Sequence, residues 1–123
     1  MKKTHNEAFV HLVNESRLKI NEVDIHQARQ MCVTRPELVF IDVREDREFE
    51  VDACAGAVHI GKGVIERDIH NLVPDTSTEI ILYCGGGFRS ALAAEALQKM
   101  GYSKVWSMDG GIRAWRNAHL PMN

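Results

Sequence analysis

The residues best suited to chemistry stand together at Cys84-Gly85-Gly86-Gly87-Phe88-Arg89-Ser90, directly after the apolar run Ile80-Ile81-Leu82-Tyr83. Three glycines in a row permit backbone conformations closed to other residues and let neighbouring N–H groups converge on one concavity, a nest for an anion. A helix opening near Ser90, with Ser90 as its N-cap, would add unpaired donors and a positive dipole end, and Arg89 a full charge at the rim. Cys84 faces this field. Lowering a thiol pKa from about 8.5 to about 6.5 raises its thiolate fraction at pH 7 from roughly 3% to about 75%. Because nucleophilicity falls with pKa, the net gain in rate is only about threefold. The larger benefit lies in donors fixed in advance around an anionic substrate and then around an anionic adduct on sulfur. The pattern favours chemistry that holds a group on Cys84.

That loop must be positioned by the elements around it. Thr4-His5-Asn6-Glu7 has the form of a capping box and leads a helix with Phe9, Leu12, Val13 and Ser16 on one side. Ile20 to Val23 reads as a short strand, and Asp24 with Gln27 starts a helix carrying Ile25, Ala28 and Met31 inward, closed by Pro36. Leu38 to Ile41 and Ile80 to Tyr83 are apolar without alternation, the pattern of strands covered on both faces. Ala57 to Ile60 and Lys104 to Ser107 are further strand candidates, with a short helix from Glu66 toward Leu72. The Ala- and Leu-rich segment after Ser90, with its Glu95–Lys99 pair and Gly101 at the C′ position, is a helix, and a last helix carries Ile112 and Trp115. Strand and helix alternate, so the class is α/β: a mainly parallel sheet between helices, with ligands bound beyond the carboxyl ends of its strands. The 84–90 segment falls at that end.

The whole chain of 123 residues suits one core, with residues 1–19 expected as an accessory helix and 20–123 as the domain. Fifteen Lys and Arg against seventeen Asp and Glu give a net charge of −2, which argues against nucleic acid or an anionic membrane as the main partner. The longest apolar runs are about five residues, against roughly twenty for a membrane span. His5, Asn6 and Glu7 interrupt the apolar stretch that a signal peptide would need after Lys2 and Lys3, so a reducing cytoplasm is the expected setting. Cys32, Cys54 and Cys84 are too few and too scattered for a disulfide framework, and the six histidines lack ligand spacing, so no metal or other cofactor is expected. Cys32 and Cys54 read as packing or inert thiols, Asp42 and Arg44 as structural residues that pair with nearby loops or with Glu48, and the glycines at 61, 63, 110 and 111 as turn formers. Trp106 and Trp115 read as core residues.

With these residues in view the sequence resembles the single-domain rhodanese, or thiosulfate sulfurtransferase-like, family. The resemblance rests on Ile41-Asp42-Val43-Arg44-Glu45, Gly56-Ala57, Tyr83-Cys84 with its loop to Arg89, Ser90-Ala91, and Asp109-Gly110-Gly111-Ile112-Arg113-Ala114-Trp115, over about residues 20 to 121. It implies a three-layer sandwich around a five-stranded parallel sheet in order 1-5-4-2-3. It also implies a cysteine that cycles between thiolate and persulfide, with Cys84 in that position and Gly85, Gly86, Gly87, Phe88 and Arg89 cradling the substrate. One departure stands out: where the family has Gly-His-Ile-Pro-Gly-Ala, this chain has Asp52-Ala53-Cys54-Ala55-Gly56-Ala57.

On this reading Cys84 takes sulfane sulfur from a small sulfur-containing anion such as thiosulfate, or from another persulfide such as one borne by a protein, and passes it to a thiol or to cyanide. Two alternatives stand beside it. One is a phosphatase or arsenate reductase-like enzyme; such phosphatases place five residues between cysteine and arginine, and this chain has four, Gly85 to Phe88. The other is a non-catalytic module that binds a partner protein through the 52–57 segment or the N-terminal helix. The donor, the acceptor and the oligomeric state are left open by the sequence.

Overall fold

A computed structural model describes residues 5–123. Five strands, β1 (Asn21–Val23), β2 (Val39–Asp42), β3 (Val58–His59), β4 (Ile80–Tyr83) and β5 (Val105–Met108), form one sheet in the order β1-β5-β4-β2-β3. Every pairing is parallel. The order agrees with the expectation, and β4 lies at the centre. Six helices connect and cover the strands: α1 (Glu7–Arg17), α2 (Ile25–Thr34), α3 (Asp46–Val51), α4 (Ile65–Leu72), α5 (Phe88–Lys99) and α6 (Gly111–Asn117).

Parity along β4 divides the core. Ile80 and Leu82 point to the face that α4 and α5 cover, packing with Ile65, Ile69, Ala94 and Leu97. Ile81 and Tyr83 point to the other face, with Ala28 of α2 and Ile112 and Trp115 of α6. Both faces are buried, which is why β2 and β4 show no alternation in sequence. Cys84 continues the period of two and falls on the α5 side.

Helix ends follow local chemistry. Asp24 and Gln27 form the reciprocal capping box that their spacing suggests. Thr4 lies outside the described residues, and Asn6 caps α1, its side chain accepting from the Ala8 N–H at 2.8 Å. On α1 Val13 and Ser16 are buried, whereas Leu12 is 51% exposed, so the inward stripe is narrower than its sequence suggests. The Ser16 hydroxyl donates to Glu95 at 2.7 Å, and the Gln98 amide to the Lys19 carbonyl at 2.8 Å, fastening α1 along α5.

One expectation needs correction, and one helix has no counterpart in the sequence pattern. The helix after Cys84 starts earlier than Ser90: its N-cap is Gly87, with φ +104°, and Ser90 stands in the first turn. A left-handed glycine turns the chain into the helix there with no Cβ penalty, so no side-chain cap is needed. The helix α3 escapes the sequence pattern because six residues carry too little periodicity and none of them is buried.

Candidate active site

The thiol of Cys84 is 1% exposed and forms part of the floor of a cavity of about 430 Å³ at the carboxyl end of β4. The Gly87 N–H donates to its sulfur at 3.1 Å and the Ser90 N–H at 3.4 Å. Both donors stabilise negative charge on sulfur. The Phe88 and Arg89 N–H groups belong to the first turn of α5, where a helix leaves its donors free. Those of Gly85 and Gly86 likewise meet no acceptor among the described residues. The Cys84 thiol also lies 3.6 Å from the Ser90 hydroxyl, which is 2.8 Å from that of Ser107, and both serines are fully buried.

The loop is held from behind by α6. The Ile112 N–H donates to the Cys84 carbonyl at 2.9 Å and the Arg113 N–H to the Gly85 carbonyl at 3.1 Å. So close an approach needs glycine at 111, where φ is +58° and a Cβ would lie 2.5 Å from both carbonyl oxygens. Gly111 therefore does more than form a turn.

Charge around the cavity is arranged differently from the expectation of a free Arg89. Glu48 of α3 grips the Arg89 guanidinium at 2.7 and 3.2 Å. The Arg89 guanidinium in turn holds the Glu48 carboxyl down to about 2. Glu48 thus pairs with Arg89 rather than with Asp42 or Arg44. Arg113, which the sequence reading left out of the site, lies against Gly85 and Gly86, closely enough that a Cβ on either would meet its guanidinium at about 3 Å. It lines the cavity and has no carboxylate within ion-pair distance among the described residues. The only hint of it in sequence is its place in the Gly110-Gly111-Ile112-Arg113 run that α6 brings to the loop.

Phe88 turns toward the N-terminal segment. Its ring lies 4.7 Å from that of His5 and 5.8 Å from that of Phe9, and the Arg17 guanidinium stands 5.3 Å above it. His5 and Phe9 therefore contribute to the cavity wall together with Phe88.

Asp42 and Arg44 pair with each other in the interior rather than with Glu48, joined at 2.8 to 3.1 Å, and Arg44 also donates to the Asp52 carbonyl. The departing segment 52–57 keeps its place by other means: the Tyr83 hydroxyl accepts the Cys54 N–H, and the Ala55 and Asn123 N–H groups exchange bonds with Pro121 and Ala53. Burial pushes the Cys54 thiol up to about 12 and that of Cys32 to about 11, so both stay protonated. Trp115 is wholly buried, while Trp106 is partly exposed and donates its indole N–H to Glu79. Among the described residues no group of His, Cys, Asp and Glu is placed to hold a metal ion.

The family model of the rhodanese-like domain matches residues 24–118. "Putative sulfurtransferase YtwF" of Bacillus subtilis (strain 168) is 31% identical over 106 residues, which cover 86% of this chain and 100% of YtwF. "Putative sulfur carrier protein YrkF" of the same organism is 32% identical over 102 residues, 83% of this chain; the match spans only about half of YrkF, 54% of its length. A solved structure from Rhodopseudomonas palustris CGA009, titled a protein of unknown function, RPA3614, and a possible tyrosine phosphatase, superposes with a TM-score of 0.82 at 27% identity, covering 100% of this chain and 99% of that one. The sheet order, the loop after β4 and the match over residues 24–118 agree, and the chain belongs to the rhodanese-like domain family.

Proposed function

We propose that the protein is a sulfurtransferase in which Cys84 carries sulfane sulfur as a persulfide. The observation that carries this reading is the Cys84 sulfur on the cavity floor, with two main-chain N–H groups already directed at it and further free donors in the same loop. The Cys84 thiolate attacks the outer sulfur of thiosulfate. A bond forms from Sγ to that sulfur, the sulfur–sulfur bond of thiosulfate breaks, and sulfite leaves with the electron pair. The terminal sulfur of the persulfide is then attacked by cyanide or a thiolate, which departs as thiocyanate or a new persulfide and restores the Cys84 thiolate. No external oxidant or reductant enters either half.

The roles follow from placement. The N–H groups of Gly85, Gly86, Gly87 and Phe88 stabilise the incoming anion and the persulfide. Arg89, steadied by Glu48, lends positive charge at the rim, and Arg113 supplies a cation free to receive the anionic end of the donor. No separate general base is required where the loop itself stabilises the thiolate. Such chemistry needs reduced thiols and suits the cytoplasm. The name YtwF bears favours sulfur transfer, and the four residues between Cys84 and Arg89 make a tighter loop than a phosphate ester needs.

The test is intact mass after thiosulfate treatment, then cyanide, with Cys84→Ser alongside. The expected result is the gain of one sulfur atom, lost to cyanide and absent from the variant. No gain with thiosulfate or with a small persulfide donor would favour a binding module, and turnover of a phosphate ester a phosphatase.

A further inference from the structure

The cavity over Cys84 is larger than thiosulfate requires. Its volume of about 430 Å³ would take about 14 heavy atoms at the ~30 Å³ that one water molecule occupies in the liquid. Thiosulfate has five. The surplus space has an aromatic wall formed by His5, Phe9 and Phe88, with ring centroids 4.7 to 5.8 Å apart. Two of the three rings come from the segment around the start of α1, before the region that the family model matches. The same cavity contains Arg113, while Arg47 and Arg89 are already paired with Glu45 and Glu48. A bare inorganic anion would use the cation and leave the wall empty. A molecule with both a carbon body and a carboxylate would use both, and small-ligand sites typically combine apolar walls with a few placed polar groups in this way.

We propose, resting on the sulfurtransferase reading, that His5 and Phe9 make the N-terminal segment a donor-selecting wall of this site, which together with Arg113 prefers over thiosulfate a low-molecular-weight organic persulfide bearing a carboxylate. Its carbon body packs against Phe9 and His5, and its carboxylate pairs with Arg113. The Cys84 thiolate attacks the terminal sulfur of the donor; the bond between the donor's two sulfurs breaks, and the donor leaves as a thiolate that takes up the proton of its persulfide group. Cys84 is left as the persulfide anion among the loop N–H groups. The N-terminal helix is then a specificity element of the site.

The experiment compares kcat/KM for the persulfide of N-acetylcysteine and for thiosulfate, with cyanide as acceptor, in the full chain and in the Phe9→Ala and His5→Ala variants. Intact mass after each donor reports loading of Cys84, and thermal unfolding reports whether each variant is folded. The expected result is a preference for the organic donor that Phe9→Ala reduces about tenfold, the lower end of what lost apolar contact costs in a pocket. His5→Ala, which removes the smaller ring of the two, reduces it by a smaller factor. Loading by both donors with a ratio that neither variant moves would overturn the proposal and leave the sulfurtransferase reading intact. Failure of both donors to load Cys84 would overturn that reading, and the proposal with it.

Discussion

Replacing Glu48 by Gln removes the carboxylate that grips Arg89, and the structure fixes how large the effect should be. The Glu48 carboxyl is lowered from 4.5 to about 2, chiefly by the hydrogen bonds from Arg89. A shift of about 2.5 units is worth at most about 3.4 kcal/mol at 1.36 kcal/mol per unit. The two side chains are 30% and 31% exposed, and solvent screening at such a site brings the expected loss to about 1–2 kcal/mol. Because the folded-state value is lowered, the stabilisation is complete above the unfolded value and is lost as pH falls toward about 2. At pH 3 less than half of it should remain. Urea unfolding of wild type and Glu48→Gln at pH 7 and pH 3 measures this directly. A difference that is the same at both pH values, or absent at pH 7, would refute the ion-pair clamp on Arg89.

Other expectations concern the frame. Gly111→Ala should cost at least about 3 kcal/mol in unfolding experiments, because its Cβ would meet two carbonyl oxygens at 2.5 Å; Gly56→Ala, also at positive φ but with open space around it, should cost only about 1–2 kcal/mol. Asp42→Ala leaves buried Arg44 with only Asp52, whose carboxylate is 3.7 Å away, and should cost about 3 kcal/mol, the lower end for breaking a buried pair, measured by denaturant titration. Iodoacetamide at pH 7.5 should spare Cys54 and Cys32, whose thiols sit at about 12 and about 11, and label Cys84; peptide mapping by mass spectrometry would show which sites react.

Much of this was legible in the sequence because the decisive signals are local. Unbroken apolar runs marked β2 and β4 as central strands, and alternation of strand and helix led to a parallel sheet. The Asp24–Gln27 box and Gly101 marked helix ends through chemistry confined to a few residues. What the sequence hid depends on distant contact. Arg113 is 29 positions from Cys84 and reaches the loop only because α6 docks on it. Glu48 sits on a helix too short and too exposed for a periodic signal, and its partner Arg89 lies 41 residues away. The cap of α5 departs from the sequence pattern because glycine in the left-handed region replaces the serine that propensity favours.

The contacts between α6 and the loop also determine which way the peptide groups of the loop face. In a trans peptide the carbonyl of one residue and the N–H of the next point in opposite directions. Since the Cys84 and Gly85 carbonyls are turned toward the first N–H groups of α6, the N–H groups of Gly85 and Gly86 must be turned away from that helix. Two helix starts thus share a single stretch of backbone, one taking its oxygens while the other, α5, offers hydrogens alongside it. The polarity of the loop is built from main chain alone, which explains how a stretch of three glycines can be chemically specific without contributing one side-chain atom.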